Sequence, residues 1–124
     1  MSTIQGRKAE NAASEYLQSK GFKIRDQNWR TRWCEIDIVA EFSKKTGLFK
    51  LERSIHFVEV KYRKSTTQGD GLEYITHKKQ QQMQRAAEFW INVHNYSGDY
   101  QLDAIAVTGY EGQWEFDYRA NITQ

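Results

Sequence analysis

Two stretches of this chain put charged groups on what otherwise read as apolar strands. In Phe57-Val58-Glu59-Val60-Lys61, strand alternation sends Phe57, Glu59 and Lys61 to one face and Val58, Val60 and Tyr62 to the other. Buried charges need a partner or a metal ion, so Glu59 and Lys61 admit two readings. An edge strand with two solvated charges accounts for Glu-Val-Lys taken alone. Glu35-Ile36-Asp37-Ile38-Val39-Ala40 repeats the arrangement, with Ile36, Ile38 and Ala40 opposite Glu35, Asp37 and Val39. Paired as neighbours, the two strands bring Asp37 and Glu59 together above one sheet, which is donor chemistry for a metal ion. Sequence does not fix the register.

Other polar residues fall near this pair. On a helix over Thr3–Lys20, closed by Gly21, the stripe Gly6, Glu10, Ala13, Leu17 lies beside Ala9, Ala12 and Tyr16. Glu10 then sits within or beside the buried face, as a functional group or as a surface glutamate whose stem skirts the core. Arg25, Arg30 and Arg32 interleave with Trp29 and Trp33 just ahead of the acidic strand, a pattern that suits phosphate contact and base stacking, or an ordinary solvated turn. The run from Tyr62 to Gly71, with Arg63 and Lys64, reads as a basic loop. Lys79 falls among the apolar positions of a second helix. Cys34 is the sole cysteine, which excludes an internal disulfide and a thiolate zinc cluster, and no histidine can be placed beside it to make it a nucleophile.

The elements that must hold these groups follow from periodicity. Phe22–Trp29 reads as a strand, and Ser43-Lys44-Lys45-Thr46-Gly47 as the turn of a hairpin leading into Leu48–Leu51. Glu52–Ser54 reads as a break before the central strand. Leu72 to about His94 is a helix with the inner stripe Ile75, Lys79, Met83, Ala86, Ala87, Trp90. Gln101–Thr108 and Trp114–Tyr118 read as strands, the last alternating aromatic with acidic residues. The order αβββαββ implies an α/β domain with a mixed central sheet flanked by helices, in two or three layers. At 124 residues a single domain over 1–124 is expected. A net charge of +2 is too small to argue a nucleic-acid partner by itself. No stretch suits a signal peptide or a membrane span, so a soluble, cytoplasmic setting is expected.

The helix glutamate, the aspartate strand, the Glu-x-Lys strand and the following helix and strand together resemble the PD-(D/E)XK nuclease superfamily, which includes archaeal Holliday junction resolvases. The chain is more closely similar to the YraN family of predicted bacterial endonucleases. The resemblance is carried by Gly6–Ala13, Asn28-Trp29-Arg30, Glu35–Ala40, Phe57–Arg63, Lys79-Gln80 and Leu102–Val107, in the family's order along nearly the whole chain. Two departures stand out. Cys34 occupies a position where the family has glycine, and the connection from Ala40 to Phe57 is longer.

The resemblance implies a restriction-endonuclease-like core and metal-dependent cleavage of DNA, with branched or structured DNA as the implied substrate. Asp37 and Glu59 would bind Mg²⁺ or Mn²⁺ with the Val60 carbonyl, and Glu10 would complete or extend the site. Lys61 would orient or deprotonate the attacking water. Arg30, Arg32, Arg63, Lys64 and Lys79 are the implied DNA contacts, although Lys79 could equally pair with a sheet carboxylate. Resolvase-like action implies a homodimer, for which the aromatic C-terminal strand is a candidate edge. A non-catalytic nucleic-acid-binding or partner-docking module with the same fold is the alternative, and an oligomeric domain with no nucleic-acid role is the third.

Overall fold

The computed structural model describes residues 3–64 and 75–123. The elements run α1 (Ile4–Ser19), β1 (Lys23–Arg30), β2 (Glu35–Thr46), β3 (Lys50–Arg63), α2 (His77–Val93), β4 (Asp99–Tyr110) and β5 (Gln113–Arg119). The five strands form one mixed sheet in the order β1-β2-β3-β4-β5. Only β3 and β4 are parallel, and α2 lies in the connection between them. The expected α/β class and element order are therefore found.

The helices cover opposite faces of the sheet. Ala9, Ala13 and Leu17 of α1 pack with Ile38, Ala40, Val58, Ile105 and Val107. Met83, Ala86, Ala87 and Trp90 of α2 pack with Val39, Ile55, Phe57 and Leu102. Strand alternation at Ile38/Val39/Ala40 and Phe57/Val58 feeds the two cores in turn, which makes the three-layer arrangement the one adopted. Among the described residues no helix is long and apolar enough to cross a membrane.

Both helices start on a threonine and stop on a left-handed residue. Thr3 accepts from the Gly6 N–H at 2.8 Å and Thr76 from the Lys79 N–H at 3.1 Å. At the end of α1, Gly21 (φ +99°) lets Phe22 N–H reach Leu17 O at 3.0 Å, and Asn95 (φ +51°) plays the same part after α2. The Thr76 cap corrects the expected helix start. Ile75 is not on the helix, because Thr76 takes an extended conformation and turns its hydroxyl back onto the first turn. The expected helix residues 72–74, and most of the expected basic loop, lie outside the described residues.

The hairpin expectations need two further corrections. The turn is not at Ser43–Gly47, and there is no break at Glu52–Ser54. Strands β2 and β3 stay paired through Ser43↔Arg53, Lys44↔Glu52, Lys45↔Leu51 and Thr46↔Lys50, and the chain reverses at 47–49. Beyond the level of Ser54, where β4 begins to pair, this is a two-stranded ribbon with no helix over it. Apart from the part-buried Thr46 its residues are exposed, so the apolar periodicity that marks a strand is missing. A final correction concerns Ile36, which joins the core beneath α2 and not the face of Ile38 and Ala40. At that level Asn28 on β1 is left-handed (φ +52°) and the β2–β3 ladder has ended, so β2 is free to twist.

Candidate metal centre

The β2–β3 ladder stops at Ile38↔Val58, one position before Asp37 would face Glu59. In the opening, the Val60 N–H donates to Asp37 Oδ2 at 2.8 Å. A carboxylate thus replaces the strand carbonyl that would otherwise take this bond. The same register sets Glu59 beside Asp37, as the two acidic strands led one to expect.

Three carboxylates from two elements converge there. Glu10 is buried on α1 (7% exposed) despite its charge, where the neighbouring Ala9 and Ala13 let the helix lie close to the sheet. One oxygen each from Glu10, Glu35 and Asp37 lie within 4.8 Å of one another. Asn28 completes the group. With its amide turned so that nitrogen meets acceptors, it donates to Glu35 Oε1 at 2.8 Å and to Glu10 Oε2 at 3.0 Å. Glu59 stands outside this trio. Its Oε1 is 3.4 Å from Lys79 Nζ, and its buried Oε2 meets no hydrogen-bond donor among the described residues.

The crowding shows in the proton affinities. Burial lifts the Glu10 carboxyl to about 7, with Asp37 and Glu35 adding to the rise. Burial lifts Asp37 to about 6, against the pull of the Val60 N–H and Lys79. Glu59 is pushed furthest, to about 8, by burial first and the Asp37 charge second, although Lys79 opposes both. Such a cluster is uncomfortable as a set of anions. Its donors are all carboxylate oxygens, one of them buried and unmet, and that set fits a hard divalent cation.

The remaining expected site residues distribute unevenly. Lys61 is half-buried on β3, two positions from Glu59 and so on its face of the strand. Val60 is half-buried and pairs with Ile105 of β4. Lys79 is engaged by Glu59, the arrangement expected of a lysine that pairs with a sheet carboxylate. Arg30 reaches Glu35 Oε2 at 3.0 Å, so this guanidinium serves the acidic cluster. Arg32 lies over the Trp33 ring, 4.9 Å from its centroid, on the turn before β2. Arg63 ends β3 half-buried, and Lys64 follows it, exposed. Two participants are not among the residues that the resemblance assigns to the site, although strand parity allows Glu35 a supporting role beside Asp37. Glu35 had parity with Asp37 as its only signal, and Asn28 lay in a matching stretch without a chemical reason to single it out.

Two other groups resolve as structural. Burial pushes the Cys34 thiol up, and Thr31 closes the turn around it by accepting from the Trp33 and Cys34 N–H groups at 3.1 and 3.2 Å. Glu59, Asp37 and Glu35 add to that rise, and a thiol held protonated is a poor nucleophile. Asp103 is fully buried and ties β3, β4, β5 and the C-terminal tail together. It is bonded to His56 Nδ1 at 2.7 Å, Gln101 Nε2 at 2.8 Å, the Asn121 N–H at 2.8 Å and the Tyr118 hydroxyl. Burial would raise its carboxyl, but these donors together hold it below the usual range.

Comparison with known proteins agrees over the same span. The model of a family described as "Uncharacterised protein family UPF0102" matches residues 9–107. A UPF0102 protein of Herpetosiphon aurantiacus is 32% identical over 118 residues, covering 91% of this chain and 88% of its own. One of Vibrio parahaemolyticus is 34% identical over 104 residues (82% and 78% of the two chains), and one of a Sulfurihydrogenibium species is 36% identical over 108 residues (86% of each). These findings support the YraN-family assignment made from the motifs. The chain belongs to the UPF0102 family.

Proposed function

We propose that this protein is a metal-dependent nuclease of the PD-(D/E)XK type, hydrolysing DNA phosphodiesters on a restriction-endonuclease-like core. The observation that carries the reading is the buried Glu59 Oε2, which meets no donor among the described residues, beside Asp37 in a break of the sheet that Glu10 and Glu35 also reach. The trio's oxygens lie within 4.8 Å of one another with Glu59 beside Asp37, and as anions these groups repel unless a cation sits among them. Asp37 and Glu59, with the Val60 carbonyl, would hold Mg²⁺ or Mn²⁺, and Glu10 and Glu35 would extend the donor set. A hard divalent cation there supplies positive charge where negative charge develops on phosphate, and it acidifies water.

The chain's own groups account for the rest. Water adds to phosphorus, the ester P–O bond breaks, and the leaving oxygen takes up a proton. Lys61, on the face of Glu59, orients the water and steadies charge on the phosphate. Lys79 holds Glu59 in place through its ion pair. Arg63, which ends the same strand, and Lys64 just after it follow the DNA backbone. A homodimer would let two equivalent strands of branched DNA be cut.

One observation favours the non-catalytic alternative: the oxygen trio is formed without Glu59, which is engaged by Lys79. A panel of duplex, single-stranded, flap and four-way-junction DNA, incubated with Mg²⁺ or Mn²⁺, separates the two. Cleavage is expected, and Glu59→Ala and Lys61→Ala should each lower it by on the order of 10²–10⁴-fold. Calorimetry should show Mn²⁺ binding that Asp37→Ala and Glu59→Ala weaken. Cleavage that survives both Glu59→Ala and Lys61→Ala, or Mn²⁺ binding indifferent to both acidic substitutions, sinks the nuclease reading. Salt-sensitive DNA binding with no cleavage establishes the binding module instead.

A further inference from the structure

The Thr31–Cys34 turn and the outer face of α2 enclose a second feature, separate from the carboxylates. Arg32, Trp33 and Phe89 line a cavity of about 430 Å³ with almost wholly apolar walls. It adjoins a polar cavity of about 270 Å³ that shares Arg32 and Trp33 and is lined otherwise by Lys78, Gln81, Gln82 and Arg85. On α2 these positions fall at 78, 81, 82, 85 and 89, a single helical stripe. The buried stripe at Met83, Ala86, Ala87 and Trp90 faces the core, so this one is unused by the fold.

We propose that this cleft is a stacking subsite for one unpaired nucleotide of a DNA strand. Resting on the nuclease reading above, it also implies that the cleaved DNA has an unpaired segment next to the reacting phosphate. Four observations carry it. Phe89 leaves 45% of its surface open, unusual for a phenylalanine, and its ring sits 5.6 Å from Trp33 at 70° and 5.8 Å from Trp29 at 36°. An aromatic wall with a guanidinium already lying on Trp33 is the setting in which a base is held by its π-face. Next, the polar cavity brings three cations and two amides to the rim and no carboxylate, which matches the phosphates flanking a base and not an apolar peptide.

The turn is also rigid before any ligand arrives: the Thr31 hydroxyl donates to Cys34 O at 2.8 Å, and the Thr31 N–H reaches the same oxygen at 3.0 Å. Finally, two covalent links tie the cleft to the acidic centre. Trp33 is two residues from Glu35, a distance the chain spans in at most about 7 Å. Lys78 adjoins Lys79, the partner of Glu59. Bases inside a duplex are stacked on one another and cannot enter such a slot, so only a single strand, flap, bulge or junction can fill it.

The test needs no metal and no cleavage. Anisotropy of labelled oligothymidylate and of blunt duplex is measured in a chelator, with wild type, Phe89→Leu, Trp33→Leu and Arg85→Gln. Wild type should prefer the single strand. Phe89→Leu keeps apolar bulk but removes the ring, and should weaken single-strand binding about tenfold, or about 1.4 kcal/mol. A single abasic position should cost wild type a similar factor at one register and cost Phe89→Leu nothing there. Arg85→Gln, at an exposed position, should lower the salt slope by about one for either DNA. Equal binding of duplex and single strand, or Phe89→Leu and Trp33→Leu both binding like wild type, overturns the subsite even where the protein cleaves duplex. A ring-dependent preference in a protein that never cleaves upholds the subsite and removes only its link to a reacting phosphate.

Discussion

Glu59 and Lys79 make the sharpest residue-scale case, because their pairing is loose and their surroundings are not. At 3.4 Å, with the carboxylate mostly buried, the ammonium lowers the Glu59 carboxyl but does not return it to the ordinary range. Replacing Lys79 by Gln removes that opposing charge and leaves burial and Asp37 acting together. Carboxyl-carbon NMR should then show Glu59 titrating above its wild-type position of about 8, with Glu10 less affected. An unmoved Glu59 would mean that Lys79 is not its partner in solution. The nearness of Asp37 and Glu59 was legible in sequence because charges on apolar strands are rare. Asn28 was not: its part depends on a left-handed backbone and on two carboxylates that come from α1 and β2. Neither the local sequence of β1 nor its composition contains that information.

The elements were legible where one face is buried and illegible where none is. Both helices, the strands on the two cores and the β3–α2–β4 connection follow from apolar periodicity, whereas the projecting ends of β2 and β3 do not. Their tip presents Leu48 (91% exposed) and Phe49 (100% exposed) to solvent. Exchanging both for Ser should change the free energy of urea unfolding by less than about 0.5 kcal/mol, the ordinary range for surface positions. Mn²⁺ affinity should be unchanged. Gly47→Val at the same tip should cost about 1 kcal/mol or more, because φ +79° is unfavourable for a side chain. A large loss from the Ser pair with a neutral Gly47→Val would mean that the tip is packed in solution, against a second copy or elsewhere on the chain. The start of α2 failed to show in sequence for a different reason. Ile75 fits the helical stripe, and only the conformation of Thr76 excludes it.

At the scale of the molecule, the acidic centre sets the pH dependence of folding against the C-terminal lock. Asp103 has a folded-state pKa held down by its donors, so its contribution is present above the unfolded carboxylate value and is lost only as pH falls through the lowered one. Glu10, Asp37 and Glu59 run the other way. Their folded values of about 7, 6 and 8 lie above the unfolded values of 4.5, 3.8 and 4.5. Between those limits the native state holds more protons than the unfolded chain, so stability falls as pH rises. Without metal the stability maximum should therefore lie near the unfolded carboxylate values, at about pH 4, and Tm at about pH 8 should be lower by about 4 °C or more, the shift that ~1 kcal/mol produces in a domain of this size. Glu59→Gln abolishes the titration with the highest folded value and should flatten the decline. Millimolar Mn²⁺ should abolish it, since a cation bound only by the native state stabilises in proportion to its occupancy, and occupancy requires ionised donors. A Tm in chelator that is level or rising from about pH 5 to about pH 8 would show that the four carboxylates are not held together in solution as they are here. The proposed metal centre would then lose its physical basis.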